Sequence, residues 1–134
     1  MQPEAKREAR EWLVRAEQDL LIADRALEGA PLPAQAAFHA QQAAEKTLKS
    51  FLTAHNLIFP KTHNLEELVS LAQTIDMNLA AFGPAAKILT PYATRFRYPG
   101  GPLQPEPSVA REAITLAREI YDDVQQRLIG GGSS

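Results

Sequence analysis

The sequence contains no cysteine among its 134 residues. This absence excludes disulfide frameworks, thiolate metal sites and cysteine nucleophiles, and it fits a reducing compartment. No apolar run approaches the roughly 18 residues that a membrane span needs. Residues 1–12 are charged and lack the apolar stretch of a signal peptide. We therefore expect a cytoplasmic protein that makes no membrane contact.

A strong charge of one sign is also missing. The sequence has fourteen Lys and Arg residues and sixteen Asp and Glu residues, so the formal net charge is −2. Any nucleic-acid binding must therefore rest on a local basic patch.

The residue patterns that hold metals, phosphates or acyl groups are missing as well. The three histidines, His39, His55 and His63, lack the spacing of metal-ligand pairs. Gly100-Gly101 is followed by proline, whose missing N–H spoils an anion-binding nest. No serine has a nearby base. The sequence thus predicts no metal, no cofactor and no recognisable catalytic centre.

The apolar residues that are present recur at three- and four-residue steps, which predicts helices. We expect five, covering about Pro3–Glu28, Pro33–His55, a stretch from Asn64 to about Ile75, a stretch opened by Gly83-Pro84 and stopped by Pro99, and Ser108–Leu128. No segment alternates long enough to predict a strand. The expected fold is all-α, an antiparallel up-and-down bundle of about five helices with a four-helix core. Residues 1–129 would form one domain, and residues 130–134 a flexible tail.

The second predicted helix carries a polar stripe beside its apolar face. At about 100° per residue, six side chains share one narrow arc; this polar stripe consists of Gln35, His39, Gln42, Lys46, Lys49 and Thr53. It supplies hydrogen-bond donors and two positive charges. The same pattern is also typical of the solvated edge of a helix, and both interpretations stay open.

Gln41 and Glu45 fall inside or beside the apolar arc of the same helix. A buried carboxylate is costly unless it is paired, so Glu45 predicts a cationic partner across the core. We expect Arg95 or Arg97 in that role. We interpret Gln41 and Glu45 as a structural polar network that sets helix register, with a ligand contact as the alternative.

A second cluster, Arg95-Phe96-Arg97-Tyr98, stands at a predicted helix end. Guanidinium groups beside aromatic rings suit phosphate binding and base stacking. Arginines at a helix C-terminus also complement the helix dipole, and Phe96 fits the core equally well.

Four segments together resemble the HEPN family (higher eukaryotes and prokaryotes nucleotide-binding). The run from Phe38 to Lys49, FHAQQAAEKTLK, resembles its second-helix signature. Trp12-Leu13 with Ala16, Asp19-Leu20 and Ala23 is similar to its first helix. Thr62-His63-Asn64-Leu65 resembles its entry to the third helix, and Arg97-Tyr98-Pro99-Gly100 its "RYP-acidic" turn. The resemblance implies a helical bundle that is commonly a homodimer. It also implies a prokaryotic protein that binds nucleotide or RNA beside a minimal nucleotidyltransferase, in some cases as a toxin–antitoxin module.

The chain departs from the ribonuclease members of that family. In those members four to six residues separate an Arg from a following His, and none of His39, His55 or His63 has such an Arg. Histidine is the side chain best suited to that proton transfer near neutral pH. Gly100 also stands where relatives usually carry an acid.

The leading hypothesis is a non-catalytic nucleotide- or RNA-binding subunit that docks with a nucleotidyltransferase. In it Lys46, Lys49, Arg95 and Arg97 would hold phosphate. The base would contact His39, Gln42 and Tyr98. One alternative is a metal-independent ribonuclease toxin with a degenerate site, in which Arg97 stabilises the phosphate and His39 or His63 transfers protons. The other is a structural homodimer, without ligand, whose seam is the polar stripe.

Overall fold

The structure, a computed structural model, describes residues 3–96, 99 and 104–130. Its α-helices are α1 (Pro3–Ala26), α2 (Pro33–Ala54), α3 (Leu65–Gln73), α4 (Gly83–Leu89) and α5 (Pro107–Gln125). Short 3₁₀ segments, Met77–Phe82 and Thr90–Ala93, flank α4, and a π-helical turn, Gln126–Gly130, follows α5. None of the described residues forms a strand, so the all-α class is confirmed. No helix among them is apolar over a stretch long enough to traverse a bilayer.

Helices α1 and α2 run antiparallel along most of their lengths. Ser50, late in α2, hydrogen-bonds the carbonyl of Ala9, early in α1. Lys46, one turn earlier in α2, reaches Asp19 further along α1. The contact buries the apolar face of α1 that the periodicity predicts, which consists of Leu13, Ala16, Leu20 and Ala23. The burial of these side chains is what holds the two helices together.

Helix α2 is the central helix of the bundle, because α1, α3 and α5 all pack against it. Alanines at 36, 37, 40, 43 and 44 are fully buried and let neighbouring backbones approach closely. Pro33 opens the helix, and the side-chain oxygen of Gln104 accepts the Ala34 N–H at 2.9 Å. His55 is the C-cap of α2, and the next residue, Asn56, adopts the left-handed conformation (φ 57°) that commonly follows a helix.

Asn64 and Glu67 have the spacing of a capping box, and the start of α3 shows half of that arrangement. The Asn64 side chain accepts from the backbone N–H groups of Glu66 and Glu67. The Asn64 N–H donates to the hydroxyl oxygen of Thr62 at 3.0 Å instead of to the Glu67 side chain. The entry to α3 is therefore held from both sides of Asn64.

The fourth helix is shorter than predicted. We expected it to continue to Pro99, but α4 ends at Leu89 and gives way to the 3₁₀ segment. The reason is Pro91, which has no N–H to continue the helical ladder. The Thr90 hydroxyl donates to the Ala86 carbonyl and accepts the Leu65 N–H, which ties this break to the start of α3.

Helix α5 packs on α2 and runs antiparallel to α1. Arg118 in α5 pairs with Asp24 near the end of α1, at 3.0 Å. In the π-helical turn after α5, Arg127 pairs with Asp76, the residue that precedes the 3₁₀ segment Met77–Phe82. Most of the tail predicted at 130–134 lies outside the described residues.

Candidate functional site

The polar stripe is the one face along which α2 is not buried. The residues of α2 with partial or full exposure are its six members and Phe38. On one side the stripe is bordered by α1, and on the other by the segment that connects α2 to α3. Among the described residues, the other faces of α2 pack into the bundle, so the stripe and the adjoining Phe38 form the face at which a ligand could reach this helix.

Asp19 of α1 holds two members of the stripe. Its Oδ1 atom accepts from His39 Nδ1 at 2.9 Å, and its Oδ2 atom accepts from Lys46 Nζ at 2.7 Å. The side chain of Asp19 is 7% exposed, whereas those of His39 and Lys46 are about one-quarter exposed. We call these three residues the Asp19 unit. Its carboxylate is buried, and its two nitrogen-bearing groups face solvent.

Glu45 of α2 organises a second unit of the same composition. Its Oε2 atom accepts from Lys49 Nζ at 2.8 Å, and its Oε1 atom accepts from His63 Nδ1 at 2.8 Å. We call Glu45, Lys49 and His63 the Glu45 unit. Burial by itself would raise the pKa of the Glu45 carboxyl, but the hydrogen bonds from Lys49 and His63 outweigh it and lower the pKa below its ordinary value.

The two glutamines of α2 extend the Glu45 unit. The Gln41 amide donates to Glu45 Oε1 at 3.2 Å and to the His63 carbonyl at 3.1 Å. The Gln42 amide donates to the Gln41 side-chain oxygen at 2.7 Å. These bonds tie the entry of α3 to the middle of α2. No buried side-chain nitrogen or oxygen of the described residues lacks a hydrogen-bond partner.

The predicted partner of Glu45 requires a correction. Arg95 is exposed, and its guanidinium lies 5.7 Å from the centre of the Phe96 ring instead of against Glu45. Glu45 pairs with Lys49, one turn along the same helix, and with His63. The geometry of α2 explains this, because residues four apart share a face. The other expected partner, Arg97, lies outside the described residues.

The predicted site residues fall into three groups. His39, Gln42, Lys46 and Lys49 lie together along the polar stripe. Arg95 belongs to a different element, after the 3₁₀ segment Thr90–Ala93, and no hydrogen bond or ion pair among the described side chains joins it to the stripe. Arg97 and Tyr98 lie outside the described residues.

An aromatic cleft opens at the Thr53 end of the stripe. Its volume is about 640 Å³. Lys49 Nζ lies 5.7 Å from the ring centre of Trp12 and 5.9 Å from that of Phe59. Both rings line the cleft, whose lining otherwise consists of Glu4, Ala5, Glu8, Thr53, Asn56, Leu57 and Ile58.

Sequence reasoning missed Asp19, Trp12 and Phe59 as site residues. A signal for Asp19 was available, since it is an acid on the apolar face of α1, between Ala16 and Ala23. Trp12 and Phe59 carry no such signal, because their proximity to Lys49 arises only from packing. Among the described residues, no group of three or more His, Asp or Glu side chains converges in a way that could hold a metal ion.

The HEPN domain model matches residues 9–127, nearly the whole chain. The chain belongs to the HEPN family. This confirms the resemblance drawn from the sequence and places the protein in a nucleotide-binding superfamily.

Two solved structures share the HEPN fold of this chain. The crystal structure of TT1696 from Thermus thermophilus superposes with a TM-score of 0.77 at 32% identity, over 89% of this chain and 97% of that one. The crystal structure of ST0689, an archaeal HEPN homologue, superposes with a TM-score of 0.70 at 27% identity, over 90% of this chain and 98% of that one. Comparison with functionally curated proteins yields no match.

Proposed function

We propose that this HEPN protein is a non-catalytic nucleotide- or RNA-binding subunit and that the polar stripe of α2 is its ligand site. The observation that carries the proposal is the partial exposure of His39, Gln42 and Lys46 along the one open face of an otherwise buried helix. A buried carboxylate holds the first and last of these in place, so little side-chain entropy would be lost on binding.

The two ends of the stripe suit different parts of a nucleotide. The Asp19 unit presents the Lys46 ammonium, which has three donors and spends one on Asp19. The Thr53 end presents Trp12 and Phe59, and aromatic faces stack nucleobases. Glu4 and Glu8 at the cleft would repel phosphate and accept from base N–H groups. We therefore orient the phosphates towards Lys46 and the base towards the cleft. In this proposal Arg95, Arg97 and Tyr98 add phosphate and base contacts from the chain that follows α4.

Calorimetric titration with a panel of nucleotides and a short single-stranded RNA tests the proposal. We expect dissociation constants of about a micromolar for at least one ligand. Lys46→Ala should weaken binding by about tenfold or more, because a charge-assisted hydrogen bond contributes about 1.5–3 kcal/mol. Lys87→Ala, at an exposed lysine on α4, is the matched control and should leave affinity unchanged. Failure of every nucleotide and of RNA to bind would contradict the proposal.

Phe59→Leu separates base recognition from phosphate recognition. The variant removes an aromatic wall of the cleft and the ring beside Lys49, but it removes none of the hydrogen bonds of the two units. Nucleotide affinity should fall by roughly tenfold, in line with the about 1–3 kcal/mol that stacking contributes. Binding of inorganic pyrophosphate should not change. Equal losses for both ligands would place the base elsewhere.

The proposed protein partner is a minimal nucleotidyltransferase, with a homodimer of this chain as the assembly that it meets. This part of the proposal is supported by the family alone. Its tests are the identity of the neighbouring gene, co-elution of the two purified proteins, and the mass of the isolated chain by light scattering. A toxin–antitoxin role would require that one protein arrest growth and the other relieve the arrest.

A metal-independent ribonuclease is the second candidate, and the pairing of His39 with Asp19 favours it. Since Nδ1 donates to the carboxylate, a neutral His39 ring carries its lone pair on Nε2, ready to accept a proton. In this candidate Asp19 orients the base and Lys46 neutralises phosphate charge. It requires RNA cleavage in the presence of a chelator, abolished by His39→Ala and retained by His55→Ala. Intact RNA after prolonged incubation would eliminate it.

A further inference from the structure

The Asp19 unit and the Glu45 unit have the same design. In each, one buried carboxylate accepts from a lysine through one oxygen and from a histidine Nδ1 through the other. Lys46 and Lys49 are three residues apart on α2, so the two units lie side by side on the open face. Because the two units are adjacent and alike, an anion bound on this face would meet the summed charge of both.

With neutral histidines, the two units carry no net charge. Lys46 is balanced by Asp19 at 2.7 Å, and Lys49 is balanced by Glu45 at 2.8 Å. A phosphate approaching the stripe would therefore meet lysines whose charge is already compensated, and it would also meet the two carboxylates. Compensated lysines alone are a poor site for an anion.

Protonation of the histidines changes this balance. The Nδ1–H groups of His39 and His63 are committed to the carboxylates, so the added proton goes to Nε2, and each unit gains one positive charge. Histidine is the side chain that ordinarily changes charge between about pH 5 and 8. The units then carry a charge of +2 instead of zero.

The surroundings of the two histidines leave this charge accessible. His39 faces Asp19 from α1 and Lys46 from its own helix, and its ring meets that of Phe38 edge-on. His63 faces Glu45 and Lys49 of α2, and its side chain is 68% exposed. Arg15 of α1 and the residues Lys61, Glu66 and Glu67 near His63 are exposed, and among the described residues the ion pairs of the two histidines are those with Asp19 and Glu45.

From this geometry we infer that the polar stripe binds anions in a proton-coupled manner, with His39 and His63 supplying the net positive charge that the compensated lysines do not. The inference rests on the proposed function, since it concerns the same site. The bound anion and the two protons stabilise one another, so affinity rises as pH falls and binding takes up protons.

The test measures sulfate and nucleotide binding at about pH 6 and about pH 8. Sulfate stays a dianion over this range, so a change in its affinity, or proton uptake on its binding, belongs to the protein. We expect roughly tenfold tighter sulfate binding at the lower pH, limited by solvent screening. Calorimetry in two buffers of different ionisation enthalpy should show proton uptake.

Matched variants assign the protons. The double variant His39→Gln/His63→Gln should lose the pH dependence and the proton uptake, whereas His55→Gln, outside the stripe, should retain both. Circular dichroism verifies that the variants fold. If a single unit dominates, one of the single variants will abolish most of the uptake, which still supports the inference.

The outcomes separate this inference from the proposed function. Nucleotide binding without pH dependence or proton uptake would overturn the inference and leave the proposed function standing. Proton-coupled sulfate binding without any nucleotide or RNA binding would do the reverse. Absence of binding to sulfate, nucleotide and RNA at both pH values would overturn both.

Discussion

The hydroxyl of Ser50 on α2 donates a 2.7 Å hydrogen bond to the backbone carbonyl of Ala9 on α1, and both residues are buried. The Ala9 carbonyl lies within α1, so it already accepts from the helical N–H four residues on. The Ser50 hydroxyl donates to the second lone pair of this carbonyl oxygen. The contact requires two small side chains at this crossing, which sets how closely the helices approach.

Ser50→Ala should lower the free energy of unfolding by about 1 kcal/mol, the usual net value of one hydrogen bond. Ser50→Leu should cost more, about 1–3 kcal/mol, because the added carbons must be forced between α1 and α2. Urea denaturation measures both. Ser70→Ala, at an exposed serine of α3, is the control. A Ser50→Leu variant as stable as the wild type would show that this crossing is loosely packed.

Asp19→Asn should affect stability and anion binding in opposite directions. The substitution removes the charged acceptor of His39 and Lys46 from a buried position, which should cost about 1–3 kcal/mol of unfolding free energy. It also frees the Lys46 charge, so sulfate affinity should rise. Asp24→Asn breaks an ion pair whose side chains are about half exposed, and it should change neither quantity much. A fall in both stability and affinity would show that Asp19 acts only by holding the site in shape.

Glu45 makes stability depend on acid pH. Its pKa is lowered in the folded protein, so its contribution is complete above the unfolded-state pKa and is lost as the pH falls through the lower, folded value. The free energy of unfolding should therefore decline below about pH 4.5, and Glu45→Gln should flatten part of that decline. Glu119→Gln, at an exposed acid of α5, should not. Equal slopes for the Glu45 variant and the wild type would contradict the pairing with Lys49 and His63.

Asp76 has two roles that substitutions can separate. Its carboxylate caps a 3₁₀ segment by accepting the Asn78 N–H at 2.9 Å, and this bond, with the nearby Arg127 guanidinium, lowers its pKa. Asp76→Asn keeps an acceptor for the cap and loses the ion pair, whereas Asp76→Ala loses both. Thermal unfolding should rank the proteins wild type, Asp76→Asn, Asp76→Ala in falling Tm. Arg127→Gln should have a Tm at or below that of the asparagine variant, because it also removes the pair of Arg127 with Asp123 at 2.7 Å. Identical Tm values for the two Asp76 variants would mean that the cap contributes nothing.

The long helices could be predicted from the sequence because their signals are local. Pro33 opens α2, and Asn56 adopts the left-handed conformation that glycine and asparagine favour after the end of a helix. The predicted fourth helix is too long because the apolar spacing continues past Leu89. In the structure Pro91 interrupts the backbone hydrogen bonds of this helix. A periodic pattern shows which face is apolar, but it does not show whether the backbone can continue.

The candidate site could be predicted only in part. The members of the polar stripe follow from the helical spacing of one segment. Their partners do not, since Lys46 and Asp19 are 27 positions apart and His63 and Glu45 are 18 apart. We expected Arg95 to pair with Glu45 because the sequence predicts a cationic partner from across the core. The observed hydrogen bond comes from Lys49 on the same helix, and it depends on the directions of the two side chains within the bundle.

The polar stripe lies on α2, the central helix, and this helix should unfold only together with the rest of the bundle. Backbone amides inside this helix should exchange with deuterated solvent only through global unfolding, since its neighbours cover all faces but one. A molecule bound at the stripe would then slow exchange along the whole of α2, including amides that it never touches. Hydrogen exchange at the slowest-exchanging amides of the protein would thus show whether the site is occupied.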